Sequence, residues 1–587
     1  MALNINGYNV ELVEATPPGH AQAGPYSGFN PSTKTIPKGH RRQEGYAPFQ
    51  ADTILDKDFA VPLRDGVTIR ADIFRPATAE KVPAIVVWSP YGKDGNGVHG
   101  LHMVPGRFGV PQERLSGYEK FEGLDPAEWV AKGYAIANFD LRGTQDGRDG
   151  YDAIEHIARL NWCSGKVASA GNSWLAMSQW FIAAERPPHL SVIAPWEGAS
   201  DFYRDTLARG GIGYPYYLLW SLLQNAMVGR SKAKAAIEML KKYPLYNDYW
   251  EDKRAKLDQI NVPLYVLASY STALHTSGSI RGYNEAGTSE KWLRIHPKQE
   301  WSDLYSQEST DDLQKFLDHY LKDIDNGWTK TPRVRVSILA FGDKQPIENA
   351  ITTAYPVPEA QQTKLYLNAL GHLSSSSSSQ SSSASYQSDI IPQGRDNDPE
   401  ELVFSFQFSK PTWLVGYSKA ILYLSADAAD DLDVFVQLRK LDASGSPTLQ
   451  LNVPANKLVP PVQSTKDIAD SCFLKYYGPN GALRASHAVS KVESTAYDSW
   501  SQYTNRTQRK IKPGTVVRLK VPIWPGGIMF DAGESLAVKI SGHYMSSMET
   551  ESLNGQTITE NKGRYTLYFG GETESYIEVP LAAPFGQ

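Results

Sequence analysis

Between Val82 and Trp180 the chain alternates strand-like and helix-like segments, and this rhythm limits its fold more than any other feature. "VPAIVVWSPYG" is an apolar run ending at a Pro-Tyr-Gly turn, the pattern of a buried central strand. "DPAEWVAKGYAIANFDLRGTQDGRDG" reads as helix, strand and Gly-rich loop; "DAIEHIARLNW" is a helix and "GKVASAG" the next strand. Apolar strands separated by helices specify a parallel, doubly wound sheet. "DFAVPLRDGVTIRADIFRP" precedes them as a hairpin around an Arg-Asp-Gly turn. "VPLYVLASYS" and "KWLRIHPKQEW" resume the sheet, and "DDLQKFLDHYLK" is an amphipathic closing helix.

A chain of 587 residues is too long for one ordinary core, so further units are expected. Residues 1–50 are rich in Gly, Pro and polar residues and read as an extended arm, disordered or laid across another surface. The α/β core is expected over 51–202 and 256–331. Residues 203–255, including "YYLLWSLLQNAMVGRSKAKAAIEMLKKYPLYNDYWEDKRAKL", read as a helical lid of the kind that carries specificity. From 332 to 587 short alternating strands such as "RVRVSILAF", "LDVFVQLRKL" and "SLAVKISG" predict a β-sandwich or jelly roll. Within it "SSSSSSQSSSASYQS" (374–388) reads as a low-complexity mobile loop.

"GKVASAGNSWLAMSQW" is strand, turn and helix, with Ser173 at the apex of the turn. An α/β-hydrolase nucleophile occupies such a turn, which needs small neighbours. The usual G-x-S-x-G is here Gly171-Asn172-Ser173-Trp174-Leu175, with Ala176 after it and no second glycine.

At this point the sequence resembles the cocaine esterase and X-prolyl dipeptidyl peptidase hydrolases, a family that also includes α-amino ester hydrolases and cephalosporin acylases. "GNSWLA" is similar to the family elbow, with Trp174 in the place of its Tyr. "RDGVTIRADIFRP", "SPYGK", "GYAIANFDLRGTQDGRDG", "PPHLSVIAPWEGASDFYRD", "GALRASHAV" and "VVRLKVPIWPGGIMFDAGESLAVKISG" resemble further family segments in order. The resemblance implies an α/β-hydrolase fold with a lid insertion and a C-terminal jelly roll. It also implies that Tyr91 and the Trp174 N–H hold the oxyanion of a Ser173 acyl-enzyme.

The rest of the triad departs from the family. Its acid is expected after "VPLYVLAS", four residues before His-Thr-x-Gly; "HTSG" begins at His275, but Ser271 stands where the aspartate belongs. The histidine is expected after "KWLRIH", which ends at His296, while other branches place it where this chain has Glu300. Three arrangements stay open. His296 is the base, oriented by Glu300, Asp303, a carbonyl or water; or His275 is the base with Glu300 as acid; or the triad is degenerate and the pocket does other chemistry. Loss of a triad aspartate can cost about 10⁴-fold and still leave catalysis, so an enzyme remains expected.

The expected activity is hydrolysis of an ester, lactone or amide of a small organic substrate; peptidase activity ranks lower because no segment clearly supplies a carboxylate for a substrate amine. The alternative is a repurposed acyltransferase, cyclase or isomerase of specialised metabolism, and a third class is a non-catalytic binding protein. His99, His102 and Trp220 are candidate substrate contacts, and His99 with His102 lack the further ligands a metal needs. His156 reads as a packing residue, and Asp140, Arg142 and Asp152 as structural charge pairs. No cofactor is expected. A net charge of −5 argues against nucleic acid, and no apolar run is long enough to span a bilayer. A homodimer is compatible with all of this. Two cysteines and no secretory signal point to a cytoplasmic protein.

Overall fold

In the computed structural model, residues 3–586 are described apart from 18–19, 21–27, 94–99, 143–146, 214–228, 230–231, 273, 393–394, 489–491, 495–500, 549–550 and 555–558. Eleven strands form the main sheet: β1 (Ser32–Ile36), β2 (Thr53–Pro62), β3 (Thr68–Pro76), β4 (Val82–Trp88), β5 (Ala135–Asp140), β6 (Cys163–Asn172), β7 (Leu190–Trp196), β8 (Leu264–Ser269), β9 (Lys291–His296), β10 (Val334–Ile338) and β11 (Ile347–Thr352). They run in the order β11-β10-β9-β8-β7-β6-β4-β5-β3-β2-β1. The strands from β4 to β10 pair in parallel, and antiparallel strands extend both edges.

The parallel strands are apolar on both faces because helices cover both. All seven residues of β4 and all six of β8 are buried. The helices that matter for the site are α1 (Gly147–Ala158), α2 (Trp174–Ala184), α3 (Thr276–Glu285), α4 (Glu300–Leu304) and α5 (Gln307–Lys322). Side chains that carry chemistry gather at the carboxyl ends of β4, β6, β7, β8 and β9, where open α/β sheets bind ligands.

The second half is a β-sandwich of a seven-stranded and a four-stranded sheet. Its core is continuous with that of the main sheet: Ile338, Leu339 and Phe341 join one apolar cluster with Leu414, Val436, Ile528 and Val538. The Leu339 N–H donates to the Gly527 carbonyl at 2.8 Å, and the Met529 N–H donates back to the Leu339 carbonyl at 3.0 Å.

Two segments differ from expectation. Within the 374–388 serine tract, Ser382–Gln387 is a strand paired with Arg564–Phe569. Its serines alternate with partly buried positions and Tyr386 is fully buried, so sheet pairing overrides the low-complexity composition. The 203–255 segment is not helical throughout. Its described residues hold a π-helical turn at Tyr203–Leu207, strands at Ala208–Arg209, Ile212–Gly213 and Lys232–Lys234, and two short helices. A strand forms at 232–234 because Leu12–Glu14 of the N-terminal arm offers it an edge. The arm is thus partly laid across other elements, and Ser32–Ile36 extends the main sheet itself. Cys163 and Cys472 are both free thiols, and no described helix is long and apolar enough to cross a membrane.

The sandwich packs tightly on the sheet at Gly527. A Cβ there would lie 2.3 Å from the Tyr270 ring and 2.9 Å from the Ser337 carbonyl oxygen. Gly527→Ala is expected to lower stability by about 1–3 kcal/mol, the usual cost of overpacking, measured as a drop in the denaturation midpoint.

Candidate active site

The elbow explains itself from local chemistry. β6 ends at Asn172, α2 begins at Trp174, and Ser173 between them sits at φ 56°, ψ −116°. A non-glycine residue rarely takes a positive φ, and such strain persists only where the surroundings hold it. The Ser173 N–H donates to the carbonyls of Trp196 (3.1 Å) and Glu197 (3.0 Å) at the end of β7. The Asn172 N–H donates to the Glu122 carbonyl at 3.1 Å. Gly171 has φ 135°, and a Cβ there would run into Leu175 at 2.4 Å. Leu175 stands where a second elbow glycine is usual; the next residue, Ala176, is accommodated by Gly198, since a Cβ on Gly198 would lie 2.7 Å from the Ala176 Cβ.

His275, immediately before α3, points at the nucleophile: its Nε2 lies 3.1 Å from the Ser173 Oγ. The same Nε2 lies 3.8 Å from Glu300 Oε2. Glu300 is held by the Asn172 side-chain amide, which donates to Oε2 at 2.7 Å. The other ring nitrogen, His275 Nδ1, is buried with no hydrogen-bond partner among the described residues, and the same holds for the Ser271 hydroxyl. Glu300 therefore approaches the serine side of the imidazole and does not stand behind it, where a triad acid would.

His296, expected first as the base, turns elsewhere. Its Nε2 contacts Glu197 Oε1 at 2.5 Å, and its Nδ1 lies 3.8 Å from Asp303. Asp303 is occupied by Arg294 and Ser309. Residue spacing placed His296 at the end of β9 but could not tell which side of the strand end its ring would face.

Tyr91 is buried beside the elbow, its ring edge-on to Phe121 at 5.3 Å, and its phenol faces both Ser173 and Glu122. Glu122 was not anticipated. It follows Phe121 in a loop, is 2 % exposed, has φ 65°, and accepts a hydrogen bond from the Trp301 indole at 3.0 Å. Glu197 was missed too, although an acid directly after a parallel strand is a readable signal. His102 is exposed, and His99 and Trp220 lie outside the described residues. His156 packs against Phe59. Arg142 bridges Asp149 and Asp65, Asp152 pairs with Arg64, and Asp140 lies 3.9 Å from Lys93.

Burial dominates the electrostatics. It pushes the His275 imidazole down to about 3, helped by the positive charge of Arg209. It pushes the Glu122 carboxyl up to about 8. Burial, then the neighbouring Glu197 and Glu122 carboxyls, hold Glu300 well above the usual carboxylate range. Burial likewise raises the Tyr91 phenol, with Glu122 adding to the effect. The uncharged forms of His275, Glu122 and Glu300 are thus favoured in the resting site. Among the described residues, one group has metal-ligating geometry, Asp398, Glu401 and His543 in the sandwich. The Lys539 ammonium already contacts Glu401 at 2.5 Å, so that cluster carries its own cation.

Family models match both halves of the chain: the X-Pro dipeptidyl-peptidase (S15 family) model over residues 65–299, and the X-Pro dipeptidyl-peptidase C-terminal non-catalytic domain over 326–578. A solved CocE/NonD family hydrolase from Staphylococcus aureus superposes with a TM-score of 0.81 at 27% identity, covering 94% of this chain and 97% of that one. The chain belongs to the cocaine esterase and X-prolyl dipeptidyl peptidase family of α/β-hydrolases. A putative serine esterase of Mycobacterium bovis is 31% identical over 184 residues, 28% of each chain. The cocaine esterase of a Rhodococcus species is 27% identical over 195 residues, 30% of each chain. These alignments span less than a third of the curated relatives' length. The family is one of serine hydrolases, and these two relatives are named as esterases.

The geometry ranks the two histidines. His275→Ala is expected to slow reaction of Ser173 with a fluorophosphonate by about 10²–10⁴-fold, the usual worth of a general base. His296→Ala is expected to have the smaller kinetic effect. It should instead lower the melting temperature, since leaving Glu197 without its buried partner costs about 1–3 kcal/mol. Intact-mass time courses and thermal melts check the two halves of this expectation.

Proposed function

We propose that the protein hydrolyses a carboxylic ester of a small organic substrate through a Ser173 acyl-enzyme, with His275 as the base and Tyr91 and the Trp174 N–H as oxyanion donors. The observation that carries this is the 3.1 Å contact between His275 Nε2 and Ser173 Oγ at a strained strand-to-helix turn. In acylation the Ser173 oxygen bonds to the carbonyl carbon and its proton passes to His275 Nε2. The carbonyl electron pair moves onto oxygen. Collapse breaks the bond to the leaving alcohol, which takes the proton back from His275, and water repeats the cycle on the acyl-enzyme. A donor pair held ready at the developing charge contributes roughly 3 kcal/mol per donor.

The bare His275 Nδ1 and the serine at 271 bear on the substrate. Among the described residues no carboxylate stands behind the imidazole to stabilise the imidazolium, so the barrier for a poor leaving group stays high. An ester or lactone fits this better than an amide, and a peptide bond fits least. The repurposed reading, acyl transfer or rearrangement without net hydrolysis, draws on the same incomplete relay.

Fluorophosphonate labelling tests the nucleophile. The intact protein is expected to gain one adduct that Ser173→Ala lacks, and absence of the adduct would sink the reading. A second expectation concerns pH. A base with a pKa near 6.5 would lose activity as pH falls from 7 to 5. His275, held near 3 by burial, stays unprotonated through that window. kcat/KM for p-nitrophenyl acetate should therefore hold level between pH 7 and 5 and fall only below it.

A further inference from the structure

We infer that Glu122 is a third arm of the oxyanion hole: its carboxylic acid donates a hydrogen bond to the oxygen of the tetrahedral intermediate beside the Tyr91 phenol and the Trp174 N–H. This rests on the reading of Ser173 as nucleophile.

The placement of Glu122 is over-determined. Its backbone is held at φ 65°, a conformation costly for a residue with a Cβ. Its carbonyl caps the Asn172 N–H at the root of the elbow, 3.1 Å away. Its Oε1 is fixed by the Trp301 indole at 3.0 Å, and Trp301 packs on Phe121 at 5.4 Å. A loop that only had to pass beneath the elbow would not need a buried carboxyl fixed by an indole N–H. That carboxyl faces the Tyr91 phenol, the Ser173 hydroxyl and the Trp174 N–H, the groups that surround the reacting carbonyl. Its second oxygen, Oε2, is buried and makes no hydrogen bond of normal distance and angle among the described residues. A buried polar atom left open in this way is satisfied when a ligand atom arrives.

The protonation state decides what the group does. A carboxylate accepts only, and in this position it would compete for the two donors and repel the oxyanion. A neutral carboxyl donates, as a protonated carboxylic acid does beside a tyrosine in ketosteroid isomerase. Burial favours the neutral form, with the group pushed up to about 8. As pH rises through that value the donor is lost and a negative charge appears at the hole, so activity falls. Other titratable groups pack around it. Tyr91 and Tyr305 stay protonated well beyond this range. Glu300 on α4 would favour the imidazolium if it ionised, which works in the opposite direction. Glu119 and Asp125 share the Glu122 loop and, like it, are raised by burial. Lys120, brought down to about 7 by burial, turns its amine away to the carbonyls of Ser89 and Phe139, and His275 is neutral throughout.

The test compares wild type with Glu122→Gln and Glu122→Ala, each first shown to melt cooperatively. Two rates are followed from pH 6 to 10: fluorophosphonate modification of Ser173 and kcat for p-nitrophenyl acetate. Wild type should lose activity as pH rises through about 8. The Gln variant keeps an N–H donor on the Trp301 clamp at every pH. It should stay within about tenfold of wild type at pH 7 and lose the alkaline limb. The Ala variant should be slower by about 10²-fold at pH 7, the usual cost of one oxyanion donor, and flat with pH. A labelled Ser173 whose rate and alkaline limb are the same in all three proteins would overturn the role of Glu122 alone. A Gln variant as slow as the Ala variant would overturn the donor role as well. Absence of labelling in wild type would instead overturn the nucleophile, and this inference with it.

Discussion

The site depends on a backbone clamp. One strained residue, Ser173, is held at its apex because its own N–H is shared by two carbonyls at the end of the neighbouring strand. The residue before it is tied by its N–H to Glu122. Three separate stretches of chain thus meet through main-chain groups, and side-chain identity matters only where space is short, as at Gly171 and Gly198. Backbone polar groups that must be satisfied when buried make such a clamp insensitive to substitution elsewhere. That accounts for an elbow that keeps its shape although Leu175 stands in place of its second glycine.

Around that clamp the chain buries Glu122, Glu197 and Glu300 within one site, with two histidines among them. Carboxylates in such a space could not all be ionised, so the arrangement is tolerable only because protons or hydrogen bonds are shared out. Asn172 serves Glu300, Trp301 serves Glu122, and His296 serves Glu197. The two histidines thereby separate: one contacts the nucleophile, and the other contacts the side chain of Glu197, whose backbone carbonyl holds the nucleophile in place.

Much of the architecture was legible in the sequence because parallel strands covered on both faces leave unbroken apolar runs, as in "VPAIVVW" and "LYVLAS". The Gly-Asn-Ser turn was legible for the same reason: only a few residue types fit it. What was hidden depended on partners distant in sequence. The serine tract at 382–387 is a strand because Arg564–Phe569 lies beside it. His275 and His296 both follow core strands, and nothing in their spacing says which ring turns toward Ser173. Glu122 sits in "EKFEGLD", which reads as a solvated acidic loop until its burial is known. Ser271 stands where the family's acid is expected, and what the imidazole does there is a matter of ring orientation.

Tyr270 adjoins Ser271, five residues before His275, and its ring is pressed against the backbone of Gly527 in the sandwich. The loop that delivers His275 to the serine is therefore braced from outside the sheet that carries the serine. The sandwich acts as a mould for one wall of the reaction centre and is more than an appended unit. A change at Gly527 would therefore disturb the placing of His275 as well as the stability of the fold.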